Sequence, residues 1–341
     1  MFKRFFGSGA SAGPDLGEEK GSDFVIEDDD EEDKYQPNSA FMENLRLNMS
    51  KMIAYAQSAD VVLQREVAEM LANEAVSADR QAQIVEYGGL RLLVPLTKST
   101  DHDVRRLAAH ALANLSVNAK NQTLMEDEGA VEMLLDLLES DNEVVQRQAA
   151  KAVANLGVNQ DNKLKIGKIG GIPRLVRLAA SPALQVKIEA IAALGNLAVN
   201  DFNELEIVKD GALVHLAASA AVAAQYMQQA RGRRSREGAH WEELAAQCAR
   251  CLRNLTVNPL NRAAVVDSEV VPALKIFSQS TNDRIAQQSS KALRNLAAAN
   301  TSISLGSGTD AVKSREDAAG GSSRSKGSGK GSGRESKDGR K

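Results

Sequence analysis

Aromatic side chains are scarce in this sequence: one Trp, four Tyr and seven Phe among 341 residues. A core without them must be filled by aliphatic groups at short range, which suits helices packed closely through Ala and Leu, both strong helix formers. Two cysteines exclude a disulfide framework. No run approaches the roughly 18 apolar residues of a membrane-spanning helix, and the opening "MFKRFFGSGA" lacks the long apolar core of a secretory signal. Phe2 excludes myristoylation, which needs Gly at that position. The expectation is a soluble, cytoplasmic chain, with nuclear or peripheral membrane association left open.

Net charge is also small, at −3, but it is unevenly spread. Residues 1–38 hold 4 basic and 11 acidic side chains, including "EDDDEED" at 27–33, with too little apolar surface to order themselves. Residues 301–341 hold 9 basic and 5 acidic side chains in a Gly/Ser-rich tail. Both tails are expected to be disordered. The middle, 39–300, carries 29 charges of each sign. A bulk pI therefore says little about partners, and no specific nucleic-acid contact is expected.

What the sequence does contain is repetition. "ALANLSVN" (111–118), "AVANLGVN" (152–159), "ALGNLAVN" (193–200) and "CLRNLTVN" (251–258) share one frame, with weaker copies at Asn73 and Asn295. Asn73, Asn114, Asn155 and Asn196 are 41 residues apart; Asn254 follows after 58 and Asn295 after 41 more. Gly88, Gly129, Gly170 and Gly211 keep the same period. A fixed period near 40 marks a solenoid of helical units, none of which can bury its apolar face alone.

Within a unit, Gly129 opens a helix carrying Val131, Leu134, Leu135 and Leu138, "ESDNE" forms a turn, and a longer helix runs from about Val144 to "NLGVN". A short helix such as "NQTLMED" completes it. Pro173 and Pro272 share a column just inside a helix start, where a missing N–H costs nothing. Asn118, Asn159, Asn200, Asn258 and Asn300 suit the left-handed conformation that ends a helix. Ahead of the first unit, Met42, Leu45, Met49 and Met52 fall on one helical face, and 39–57 is expected to cap the array.

Residues with the spacing of chemical motifs fall within this frame or in the tails. Cys248 and Cys251, with His240 nearby, have the spacing of a zinc or redox motif. Both occupy columns filled elsewhere by Ala149 and Ala190, and by Ala152 and Ala193, so they read as core. "GSGKGSG" at 327–333 imitates a phosphate loop, but Lys330 is followed by Gly331 instead of Ser or Thr. His102, His110, His215 and His240 show no metal-ligand or triad spacing. No catalytic residue, metal or cofactor is expected, and the chain reads as a non-enzyme.

Three helices in about 41 residues, with "ALxNLsvN" ending the longest and "xxGaxxxLvxLL" following, resemble the armadillo repeat. The resemblance covers about residues 58–300, or six units. It implies an all-α, right-handed solenoid serving as a protein-interaction scaffold. It is closer to vacuolar-type armadillo scaffolds and the armadillo tails of some kinesins than to nuclear import adaptors. In the family the longest helix lines a concave groove, so the resemblance sets Asn73, Asn114, Asn155, Asn196, Asn254 and Asn295 there. Glu269 stands where the last unit should carry Gly, as a terminal repeat allows.

An Asn amide offers donors and an acceptor, so it can pair with an extended peptide whatever that peptide's side chains are. It can equally tie down its own loop. With helices about 8–10 Å apart and an extended chain rising about 3.3 Å per residue, each unit would address about three ligand residues. Four residues before the Asn column stand Glu69, His110, Lys151, Ala192, Arg250 and Lys291; eight before stand Arg65, Arg106, Arg147, Ile188, Ala246 and Gln287. Half of these positions are Lys or Arg and only Glu69 is acidic. Such a wall favours an acidic or phosphorylated extended segment. The chain's own run at 27–33 has that chemistry and is expected to dock on Arg65, Arg106, Arg147 and Lys151. The sign is wrong for a basic localisation signal, and no Trp stands four residues before an Asn, which disfavours an import receptor. The alternative is a cytoskeletal (microtubule) or membrane-associated adaptor meeting acidic tubulin tails or anionic lipids.

The longer step to Asn254 holds 17 extra residues around "QQARGRRSREGAHWEE", read as a loop insertion at about 227–243. Its arginines suit phosphate or a membrane surface, and Ser235 fits a basophilic kinase site. Trp241 is expected to pack where the helix resumes.

Overall fold

The structure, a computed structural model, describes residues 40–230 and 236–306. The acidic run 27–33, Ser235 and most of the basic tail lie outside the described residues. Residues up to Ala297 form one compact unit and those from Ala298 another; the helical stack belongs to the first. All described secondary structure is helical. Helix α1 (Ala40–Ala56) precedes α2 (Val61–Glu74), and five triplets follow. These are α3 (Ala78–Glu86), α4 (Leu90–Thr97) and α5 (His102–Leu115), then α6 (Ala119–Asp127), α7 (Ala130–Leu137) and α8 (Glu143–Leu156). The third is α9 (Gln160–Lys168), α10 (Gly171–Ala179) and α11 (Leu184–Leu197), and the fourth is α12 (Asp201–Lys209), α13 (Ala212–Ala230) and α14 (Arg236–Leu255). The last is α15 (Pro259–Asp267), α16 (Val271–Phe277) and α17 (Asp283–Gly306).

The long helices α2, α5, α8, α11 and α14 pack side by side in chain order, and the first helices α3, α6, α9, α12 and α15 form a parallel row. Between the long helices the buried side chains are small, among them Ala108, Ala109, Ala111, Ala149, Ala150 and Ala152. Small side chains let backbones approach: a Cβ on Gly195 of α11 would stand 3.5 Å from the Cys251 backbone of α14. Helix α1 packs on α2 and α4 and buries Met52 and Ala56. Among the described residues no single helix is long and apolar enough to cross a membrane.

Two expectations are corrected here. Asn118, Asn159, Asn200 and Asn258 are not left-handed; they are extended, and each side-chain oxygen accepts an N–H from the first turn of the helix that follows. The extended backbone lets Oδ1 reach an otherwise orphaned donor, which makes them N-caps. Asn300 lies inside α17. The left-handed column is instead Gly88, Gly129, Gly170 and Gly211, and Glu269 keeps that conformation (φ 62°) although it carries a side chain.

The second correction concerns the insertion. Its described residues, on either side of 231–235, are helical and lengthen two helices, so that α13 has 19 residues against 9 in α10, and α14 has 20 against 14 in α11. No Gly or Pro interrupts "ALVHLAASAAVAAQYMQQA", so nothing breaks the helix before Ala230. Tyr226 of α13 stacks on Trp241 of α14, with ring centroids 5.6 Å apart, and closes the pair.

A second asparagine column holds the units in register. Asn121 donates from Nδ2 to the Gln81 carbonyl (2.9 Å), Asn162 to Gln122 (2.8 Å), Asn203 to Lys163 (2.8 Å) and Asn261 to Glu204 (3.4 Å). Asn121 and Asn261 also reach the carbonyls of Leu115 and Leu255, at the end of the long helix before them. All four are buried. Each hydrogen bond is worth only about 1 kcal/mol net, but an unpaired buried carbonyl costs about 1–3 kcal/mol. Replacing Asn162 by Ala should therefore lower stability by about 2 kcal/mol in a urea titration, against about 1 kcal/mol for loss of the cap in Asn159→Ala. Glu269→Gly should do the opposite. It should raise stability by about 1 kcal/mol, because a side chain in the left-handed region costs about 1–2 kcal/mol.

Candidate functional site

The asparagines that end the long helices are not equivalent. Asn73 is exposed, whereas Asn114 is half-buried with Nδ2 3.4 Å from His110 Nε2. Asn155 donates to Ser116 Oγ (3.0 Å), Asn196 to the Ala154 carbonyl (2.7 Å), Asn254 to the Gly195 carbonyl (2.7 Å) and Asn295 to Thr256 Oγ1 (3.2 Å). Each of those acceptors sits at the end of the preceding long helix, so one N–H of the amide is used between repeats. Among the described residues no donor reaches Oδ1 of Asn114 or Asn155. At Asn196 and Asn254 that oxygen is already taken, by the guanidinium groups of Arg250 and Arg253.

The expected stripe of cations is likewise uneven. Arg65 meets Asp101 at 3.1 Å and Asp103 at 3.5 Å. Asp101 caps α5 by accepting from the Val104 N–H. That bond, helped by Arg65, holds the Asp101 carboxyl below the usual carboxylate range, while Asp101 raises the pKa of Arg65. Arg106 Nε lies 3.4 Å from Asp103. Arg147 and Lys151 are half-buried on α8, and Lys151 makes no ion pair among the described residues. Lys291 is exposed.

Arg250 is not the groove cation expected of it. It is wedged between α14 and α11, donating to Gln247 Oε1 (2.6 and 3.1 Å), to Asn196 Oδ1 and to the Ala192 carbonyl (3.1 Å). Burial lowers its pKa. Arg250 is half-buried, and the equivalent or neighbouring column positions Ile188, Ala192 and Ala246 are buried and present no polar side chain.

Comparison with known proteins agrees with this architecture. The family description "HEAT repeats" matches residues 49–154 and 90–195, and "Armadillo/beta-catenin-like repeat" matches 258–298. An engineered protein solved by a structural genomics consortium is 30% identical, with a TM-score of 0.63 over 74% of this chain and 97% of that one. A designed armadillo repeat protein is 23% identical, with a TM-score of 0.62 over 72% and 98% of the two chains. Another, in complex with the peptide (KR)4, is 22% identical with a TM-score of 0.60 over 72% and 98%. This chain is an armadillo-repeat protein. No curated protein matches it.

Two features of this armadillo stack went unread in the sequence. The N-x-x-N spacing of Asn118 and Asn121, Asn159 and Asn162, Asn200 and Asn203, and Asn258 and Asn261 was visible, but only the first Asn of each pair was used. The carbonyls taken by the second Asn belong to a buried column in which burial lowers the pKa of Lys163 and raises that of Glu204. Glu204 also accepts from Asn258 Nδ2 at 2.6 Å. The other feature is a row of exposed valines, Val76, Val117, Val158, Val199 and Val257, each three residues after a groove asparagine.

Cys248 and Cys251 are fully buried. Burial pushes the Cys251 thiol up to about 12 and raises that of Cys248 as well. A folded-state pKa above the unfolded one stabilises the fold fully below about pH 8.5, and the stabilisation is lost as pH climbs toward the folded value. Urea midpoints taken from pH 8 to pH 10 should therefore fall faster for the native chain than for Cys248→Ala/Cys251→Ala. The expected excess is about 2 kcal/mol per thiol at pH 10. Parallel curves would contradict the burial of these thiols.

Proposed function

We propose that this armadillo protein is an interaction scaffold whose row of long helices binds an extended, acidic or phosphorylated segment of a partner protein. Solenoids of this kind are typical protein-binding scaffolds. The observation that carries the finer reading is the state of Asn114 and Asn155. They occupy equivalent positions on the adjacent helices α5 and α8. Asn155 is steadied through one N–H to the repeat before it, and Asn114 lies beside its own His110. Among the described residues Oδ1 of each has no donor, so each amide can still accept from a ligand backbone N–H and donate with its remaining hydrogen.

Charge supports the sign of the ligand. Lys151 stands one helical turn before Asn155, and Arg147 two turns before, on the same face. The pairing of Arg65 and Arg106 with Asp101 and Asp103 is solvent-exposed on the Asp103 side, and exposed ion pairs are weak. A ligand carboxylate or phosphate can therefore exchange for Asp103. The exposed valines beside the asparagines add apolar contact at one per repeat. The (KR)4 peptide of the designed relative has the opposite sign.

Fluorescence anisotropy with a nine-residue alternating Ser-Glu peptide, and with its phosphoserine form, tests the reading. Asn114→Ala/Asn155→Ala should bind roughly 30-fold more weakly, at about 1 kcal/mol net for each amide removed. Binding should also weaken with salt. Unchanged affinity in a double variant that still unfolds cooperatively would place the binding site elsewhere.

A further inference from the structure

The row of long helices is not open along its whole length. We propose that Arg250 closes its C-terminal part, so that only α2, α5 and α8 take ligand, over about nine extended residues at three per repeat. The inference rests on the reading of the groove given above and sets its limit.

At α11 the acceptors that would address a peptide are taken. Asn196 uses one N–H on the Ala154 carbonyl, and its oxygen accepts from Arg250 NH1. Arg250 NH2 takes the Ala192 carbonyl one turn earlier on the same helix, and Gln247, itself buried, fixes the guanidinium from the other side. Helix α14 is shut in the same way: Asn254 is 7% exposed, donates to the Gly195 carbonyl and accepts from Arg253 at 3.0 Å.

The charge column stops at the same boundary. Arg65, Arg106, Arg147 and Lys151 belong to α2, α5 and α8, whereas α11 offers Ile188 and Ala192 and α14 offers Ala246, all buried. Hydrogen-bonding and electrostatic features thus break off together between α8 and α11, and beyond that point only Asn295 and the exposed Lys291 of α17 repeat the pattern. Arg250 stands on α14, the helix lengthened by the insertion, and it reaches back across that boundary. Opening the closed part would mean extracting a guanidinium from four hydrogen bonds, which a neutral backbone segment cannot repay.

The test uses the full chain and three peptides: the nine-residue Ser-Glu core, and the core with six neutral Ser-Ala residues added at its N-terminus or at its C-terminus. A fixed acidic core keeps a single register. For the native protein both extended peptides should bind within about twofold of the core. In Arg250→Ala, which installs the residue found at Ala192, one of the two extended peptides should gain about fivefold, the effect of one added hydrogen bond. Gln247→Ala, which frees the guanidinium from the two bonds that fix it, should show the same gain on extension and serves as the test if the Arg250 variant fails to fold. A gain of fivefold or more on extension in the native protein overturns the closure but leaves the groove reading standing. Equal affinities for all three peptides in a folded Arg250→Ala remove Arg250 as the closing group. No binding of any peptide to either protein overturns the groove reading and the closure together.

Discussion

A side-chain amide that donates to a main-chain carbonyl about one repeat earlier is the contact on which this molecule depends. Helices packed through alanine have smooth faces, and smooth faces slide. The buried column of Asn121, Asn162, Asn203 and Asn261 removes that freedom, because each Nδ2 finds its carbonyl in only one register. Gly167 shows how tight the arrangement is: a Cβ there would come within 1.8 Å of Asn203 Oδ1. Register matters for function because a polypeptide ligand has its own fixed rise, and amides on successive helices can address it only if their spacing is constant.

The groove asparagines extend the same logic to the other end of the unit. Asn155, Asn196, Asn254 and Asn295 each donate to the end of the long helix before them, so an amide expected to meet a ligand or tie down its own loop also ties one repeat to the next. The two roles are compatible for an amide, which has two N–H groups and an oxygen. Which role is left over then depends on neighbours. Asn155 keeps its oxygen, while Asn196 and Asn254 give theirs to arginines on α14. Columns that look uniform in sequence thus become different sites in the fold.

The stack itself was legible in the sequence because a constant period needs no knowledge of contacts. The 41-residue step and the Gly column located the units, and Glu269 was recognised as an occupant of that column before its positive φ was known. The misreadings have local causes. An Asn after a helix suits either a left-handed terminus or a cap on the next helix, and only backbone angles separate the two. The insertion reads as a loop because extra residues in a repeat usually fall between helices, although the 19 residues of α13 contain no helix breaker. Pairing was the least legible property. Arg65 and Asp101 are 36 residues apart, and nothing in their spacing says that they meet. Arg250 looked like one more cation in a stripe until its partners on α11 were seen.

The most direct test of the whole account follows the side-chain amides of the asparagines by nitrogen-15 NMR while an extended acidic peptide is added. The account predicts that the Nδ2 resonances of Asn114 and Asn155 move together and saturably, while those of Asn121, Asn162 and Asn203 stay in place because they are committed between repeats. Shifts confined to the α13–α14 pair or to the first-helix row, with Asn114 and Asn155 unmoved, would contradict it.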